Sequence, residues 1–407
     1  MDYPVSHRRR ACLGLAMGLV ADRAFPRGLA SMGRASPDTD GHVRYRVVHH
    51  FSGPDGANPQ AGLILAGDGE AYGTANAGGE HGKGVIYHLT RDHRVKVLHS
   101  FAGGANDGAS PSTYSLVDAD GALYGSTFDG GENEFGVAFR LDSASGFTML
   151  HRFGIQDCTS GELMHASDGN FYGAGGWGGR YFNGTVFRMD KAGNTTVLWD
   201  FGEELDDPQD PCSGLIEATD GRLYGTTYDG GTDGNGGTVY TLLKDGTDRR
   251  VLHSFVNGDE KGRHCLDTVM QAADGNLYGV SLDGGPYYWG GAVFRLGLDG
   301  AFEVVHTFGG DGDGYYPHSP LLEIRPGVFV GTTHFGGKAG GGVVYQVHAD
   351  GRYRVLHHFG GDVHGTPDGR APMDALQMIA PGHVLGICPE GGAFDLGTLW
   401  VLHVDAA

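Results

Sequence analysis

The stretch Leu63-Ile64-Leu65-Ala66-Gly67-Asp68-Gly69-Glu70-Ala71-Tyr72-Gly73-Thr74 decides the fold. Leu63 to Ala66 reads as a short apolar strand. Asp68-Gly69 is a hairpin signal, because a type I′ turn needs positive φ at both central positions. Tyr72-Gly73-Thr74 belongs to the returning strand, and Gly78-Gly79 opens a longer loop. Val85-Ile86-Tyr87 forms a third strand and Val95 to Phe101 a fourth. Four antiparallel strands in one repeat make a propeller blade.

The same register runs through the chain. The hairpin recurs at Asp120-Gly121, Asp168-Gly169, Asp220-Gly221 and Asp274-Gly275, and becomes Pro326-Gly327 and Pro381-Gly382 in the last two repeats. The tyrosine of the second strand recurs as Tyr124, Tyr172, Tyr224 and Tyr278, then gives way to Val330 and Leu385. The third strand always carries a ring, Tyr87, Phe139, Phe187, Tyr240, Phe294, Tyr345 and Trp400, as wedge-shaped blades require to fill the space between sheets.

Too few residues follow Trp400 for another fourth strand, while Arg44 to Phe51 reads as a fourth strand with no first three before it. Pairing this N-terminal strand into the last blade closes the ring and removes a free edge. The expected fold is an all-β, seven-bladed β-propeller of four-stranded antiparallel blades, forming one domain over residues 42–407. An open solenoid would need no such exchange of strands.

Together, D-G-x-L-Y-G-T-T, G-G, G-T-V-F-R-L and V-L-H-S-F resemble the GloVer-type (Gloeo/Verruco) tandem repeat over residues 42–404. The resemblance implies a propeller in an exported bacterial protein. It implies no settled activity and carries over no catalytic residues.

Glycine accounts for 75 of the 407 residues, but it is spread periodically, which argues for repeated turns and against low complexity. The formal net charge of -20 repels phosphate backbones and argues against nucleic acid as a partner. His7-Arg8-Arg9-Arg10 before the apolar run Ala11 to Ala21 reads as an export signal, so residues 1–41 are expected to be a leader and the protein secreted or periplasmic. No transmembrane segment follows it, and a monomer is expected. Cys158, Cys212 and Cys265 fall in the same connection of successive repeats, where a neighbouring pair could bridge after export; Cys388 reads as buried and free.

Antiparallel order puts the turns between strands one and two, and three and four, on one face. The longer loops between strands two and three, and the inter-blade connections, lie on the other, which is where a site over the central channel is expected. Residues that recur from blade to blade read as scaffold, including His49, His99, His151, His253, His306 and His357 at one fourth-strand position, for which a repeated structural hydrogen bond is expected.

The departures from the repeat are the candidates. Tyr181, Tyr287, Tyr288, Trp289, Tyr315 and Tyr316 lie beside acidic residues in the long loops and connections, a mixture suited to a glycan or other small molecule. On the first strands, His165, Glu217, Gln271 and Glu323 occupy one position in four consecutive blades. Gln271 reads as ligand-binding. His165, Glu217 and Glu323, with His264 and His318 from the connections, are the candidates for acid–base catalysis if the protein is a lyase or hydrolase. An interaction propeller without a small-molecule site is a third reading. No cofactor is expected beyond calcium at Asp311 and Asp313, which lack the full spaced loop of a calcium hand.

Overall fold

In every repeat the glycine of the second strand lies under the ring of the third. A Cβ on Gly73 would stand 2.6 Å from the Tyr87 hydroxyl, one on Gly225 2.5 Å from that of Tyr240, and one on Gly386 2.2 Å from the Trp400 indole. The rings are fully buried. Each also meets the phenylalanine that ends the fourth strand of the preceding blade: Phe51 on Tyr87 at 5.4 Å, Phe101 on Phe139 at 5.6 Å, Phe308 on Tyr345 at 4.9 Å and Phe359 on Trp400 at 5.5 Å between centroids. Glycine and ring thus set how deeply one sheet nests against the next, and apolar clusters form between neighbouring blades.

The computed structural model describes residues 43–404, apart from 67–68, 112–115, 158–162, 205, 233–234, 257–260, 288, 311, 364 and 374. The leader, Cys158, Tyr288 and Asp311 therefore lie outside the described residues. Seven antiparallel blades form a seven-bladed β-propeller. In blade one the strands are Ile64–Leu65, Ala71–Ala75, Val85–Leu89 and Val95–Ser100, from the innermost outward. The second strands of blades two and six are long, Ala122–Gly130 and Val328–Gly336, and each also pairs with a strand of the preceding connection, Gly108–Pro111 and Gly314–Pro317.

The ring closes as the orphan strand predicts. Val43–His50 pairs antiparallel with Thr398–Val404, with Val47 opposite Trp400. The outer strand of blade seven therefore comes from the start of the propeller and its other three strands from the end.

Two features refine the reading of the repeat. First, a bulge sits at the Leu or Val before the recurring histidine. In blade one the register passes from Val97 opposite Tyr87 to His99 opposite Ile86, leaving Leu98 as the extra residue. Second, the Asp-Gly turn is not uniformly type I′. Asp120 and Gly121 both have positive φ, but in blades three to five only the glycine does. There Gly169 N–H donates to Ala166 and Ala166 N–H to Asn170, a longer turn with a left-handed glycine. The aspartate serves as an acceptor: Asp168 takes the Asn170 N–H at 3.0 Å and the Tyr172 hydroxyl at 2.8 Å. Asp220 with Tyr224, and Asp274 with Tyr278, repeat the arrangement.

Candidate ligand-binding face

The inter-blade connections share an unusual backbone. Asn58, Asp210, His264, Tyr316 and Ala371, each five residues before the leucine or valine that precedes or opens the first strand, all have φ between 49° and 57°. Left-handed backbone costs a residue with a Cβ about 1 kcal/mol or more. His264 and Tyr316, two of the candidates, are the occupants of this turn in blades five and six.

From Tyr316 a continuous chain of side chains crosses the loop face. Trp289, from the long loop of blade five, stacks on Tyr316 at 5.7 Å. Tyr316 meets Phe335 edge-on at 5.9 Å, and Tyr315 stacks on Phe335 at 5.7 Å. Phe335 touches His334 at 4.4 Å, and His334 lies 6.1 Å from His318. Trp289 is 55% exposed and Tyr315 38%, whereas Tyr316 is buried. The result is a shelf of rings with a wet outer side and a polar inner end.

At that inner end, His318 Nδ1 lies 3.5 Å from Oδ1 of Asp267, which belongs to the connection into blade five. Asp267 is almost wholly buried. Burial opposes charge on His318, the Asp267 carboxylate favours it, and the balance raises the His318 pKa above its ordinary value. His334 is buried beside it with no carboxylate partner; desolvation and the neighbouring His318 lower its pKa to about 3.

His264 has a carboxylate of its own. Its Nδ1 lies 3.1 Å from Asp283 Oδ1 and its ring stacks on Tyr228 at 4.3 Å. Arg263 also engages Asp283, at 3.1 and 3.2 Å. Leu266, Leu282 and Tyr316 form an apolar cluster on which both Tyr228 and Phe335 pack, so the two histidine sites share one patch across blades four to six.

The remaining candidates are not brought into this patch. Tyr181 lies under the Arg180 guanidinium at 5.7 Å in blade three. Tyr287 is 55% exposed and lies against the backbone of Gly309. Glu217, Gln271 and Glu323 are clips between neighbouring hairpins on the opposite face. Glu217 accepts the Ser167 N–H at 2.7 Å, Gln271 the Thr219 N–H at 2.8 Å, and Glu323 the Ala273 N–H at 2.8 Å. Burial would raise the Glu217 carboxyl, but Lys244 and Ser167 hold it below the usual range. His165 packs against Phe171 at 5.0 Å. On this same opposite face a cavity of about 360 Å³ lies among Arg325, Gly327, His348 and Arg352.

Four of the six recurring histidines make the structural bond expected of them. His49 meets Asp55 at 2.9 Å, His99 meets Asp107 at 3.2 Å, His151 meets Asp157 at 2.8 Å and His357 meets Asp368 at 2.8 Å. Asp313 stands at the corresponding place but only faces His306, at 3.5 Å and without a hydrogen bond; it takes the Gly314 N–H at 2.8 Å and accepts from the Tyr353 hydroxyl. Among the described residues no group of three or more His, Cys, Asp or Glu is arranged to hold a metal. Cys212 is disulfide-bonded, and Cys265 and Cys388 are buried free thiols.

Phe335, His334 and Asp267 join the site without being among the candidates that the sequence offers. Their signal was available as departure from the repeat: Thr333-His334-Phe335 stands where blade four has Thr227-Tyr228-Asp229.

The Gloeobacter/Verrucomicrobia repeat matches residues 34–236 and 159–400. No curated protein sequence matches the chain. Among solved structures, it is similar to the extracellular domain of the putative hybrid two component system BT3049 from B. thetaiotaomicron, with a TM-score of 0.56 at 11% identity, covering 88% of this chain and 40% of that one. It is also similar to puromycin hydrolase, with a TM-score of 0.51 at 13% identity, covering 82% of this chain and 50% of that one. The chain thus spans half or less of the length of both, and at these identities the likeness is one of fold. Among the described residues no helix is long and apolar enough to cross a membrane.

Proposed function

Because the chain belongs to the Gloeobacter/Verrucomicrobia repeat family, whose repeat accounts for the blades themselves, its individual function has to lie in what departs from the repeat, and we propose that it is a saccharide-binding propeller with its site on the loop face of blades five and six. One observation carries this reading: the exposed rings of Trp289 and Tyr315 are joined through Tyr316, Phe335 and His334 to His318 and the buried Asp267. A sugar ring offers an apolar face to such rings and hydroxyls to the polar end. Exposed aromatic surface on a rigid scaffold marks interaction sites. Export fits the same reading, since a disulfide at Cys212 suits an oxidising compartment.

Intrinsic fluorescence tests it. Trp199 and Trp400 are buried, Trp177 is half-buried in blade three and Trp289 is exposed, so saccharide binding at this face should shift the emission of Trp289. A titration with oligosaccharides that moves emission equally in the wild type and in Trp289→Phe counts against the shelf.

The two histidine–carboxylate contacts favour a second reading, a lyase or hydrolase working at this face with His318 or His264 as its acid–base group. Turnover of a bound saccharide that is lost in His318→Gln but retained in Trp289→Phe would select it.

A further inference from the structure

The inner end of the shelf holds a group that ring stacking does not require. Both carboxylate oxygens of Asp267 are shut off from solvent and accept no hydrogen bond from the described residues. A buried carboxylate without a partner is costly enough that a cation or donor has to face it. The facing groups come from two blades. His318 Nδ1, 3.5 Å away, belongs to the connection into blade six. Tyr345, from the third strand of that blade, lies within electrostatic reach of Asp267, and His334 and Thr332 of its second strand neighbour His318; among the described residues each has a buried polar atom without a hydrogen bond. Cys265 and Thr268 flank Asp267 in its own connection. His334 is held neutral by its depressed pKa, and Tyr345 and Cys265 are held in their protonated, uncharged forms by burial. The compensating charge therefore falls to His318.

The orientation of that imidazole is informative. Nδ1 is buried against Asp267, whereas Nε2 makes no hydrogen bond to any of the described residues and is not sealed from solvent. The ring is 17% exposed, and Nε2 is its open side. We propose that Asp267 is a positioning residue that fixes His318 with its Nε2–H outward, and that this N–H takes a negatively charged oxygen of the ligand seated on Trp289 and Tyr315. The inference rests on the saccharide reading and narrows it to acidic saccharides, whose charge is a carboxylate or a sulfate. Charge-assisted hydrogen bonds of this kind are roughly twice as strong as neutral ones. The net charge of -20 does not forbid an anion here, because charges beyond about 8 Å are screened at physiological salt.

Calorimetry on the full chain at pH 6 tests this with α-1,4-trigalacturonate, a 6-sulfated galactose oligomer and neutral galactotriose. One or both acidic probes should bind about tenfold more tightly than the neutral one, and which of them does so tells carboxylate from sulfate. The preference should fall as pH rises and His318 loses its proton, and Asp267→Asn should abolish it. Equal affinity for acidic and neutral probes overturns this inference and leaves the saccharide reading standing; no binding of any probe counts against both. A ligand-free readout is independent of the choice of probe. By NMR, His318 should titrate above 6.5 in the wild type and lower in Asp267→Asn, and a wild-type value at or below 6.5 overturns the proposal even where the variant fails to fold.

Discussion

Tyr45, near the start of the propeller, lies flat on His357 of blade six, with ring centroids 3.6 Å apart and planes within 11°. Its hydroxyl donates to Asp368 at 2.6 Å, the same carboxylate that His357 meets at 2.8 Å. The contact belongs to a series. His99 stacks on Phe147 at 3.9 Å, His253 on Phe302 at 3.8 Å and His306 on Tyr353 at 4.0 Å, each joining one fourth strand to the next. Tyr45 makes the same contact between blades six and seven, with a residue from the opposite end of the chain. Tyr45→Ala should therefore destabilise the whole propeller by about 3 kcal/mol in urea unfolding, and Tyr45→Phe by about 1 kcal/mol through the lost hydrogen bond. An unchanged midpoint for Tyr45→Ala would mean that the closing strand contributes no stability.

The glycine–ring pair predicts an asymmetry between two alanine substitutions. A Cβ on Gly386 would stand 2.2 Å from Trp400, whereas one on Gly361 meets nothing within 4 Å. Gly386→Ala should cost about 1–3 kcal/mol through overpacking, and Gly361→Ala less than about 0.5 kcal/mol. Similar thermal midpoints for the two variants would contradict the packing described.

Two titrating groups make testable contributions to the acid limb of stability. Asp55 is partly buried, which would raise its pKa, but His49 and Ser52 lower it from 3.8 to about 2. A depressed carboxyl contributes stability above its unfolded value, and that contribution is lost as pH falls through the folded one. Its window therefore runs from about 4 down to 2. His334 is lowered from 6.5 to about 3, so its contribution is complete above 6.5 and lost as pH falls towards 3. In His334→Gln the decline in melting temperature between pH 6.5 and 3 should be shallower than in the wild type. Parallel curves would show that His334 is not buried in its neutral form.

The scaffold was legible because its physics repeats. The third-strand rings, the phenylalanines ending the fourth strands and the orphan strand ending at Phe51 each recur or complete a series, and the structure uses them as read. The joint loss of Asp and Tyr in the last two repeats, at Pro326 with Val330 and at Pro381 with Leu385, already encodes the Asp168–Tyr172 type of bond. The Asp-Gly turns were read as type I′ because that dipeptide favours it; the aspartate's bonds to the second-strand N–H and tyrosine select the longer turn. The site was less legible. Trp289, Tyr315, Tyr316 and His318 stand out as departures from the repeat, and Phe335 is one too, standing where Asp129, Asp229 and Asp283 stand in other blades; but His334 occupies a position that differs in every blade, and Asp267 matters only through the neighbouring blade. Glu217, Gln271 and Glu323 showed the converse problem, because their periodic placement suggested convergence where the structure has clips between successive hairpins.

The most direct test of the saccharide site is Trp289→Ala, measured by retention on a glycan array of neutral and acidic oligosaccharides. Trp289 is 55% exposed, so its truncation should change stability by less than about 0.5 kcal/mol while reducing glycan retention at least about tenfold, as loss of an aromatic anchor at the centre of an interface does. A folded Trp289→Ala protein that retains the same glycans at wild-type strength would contradict the site.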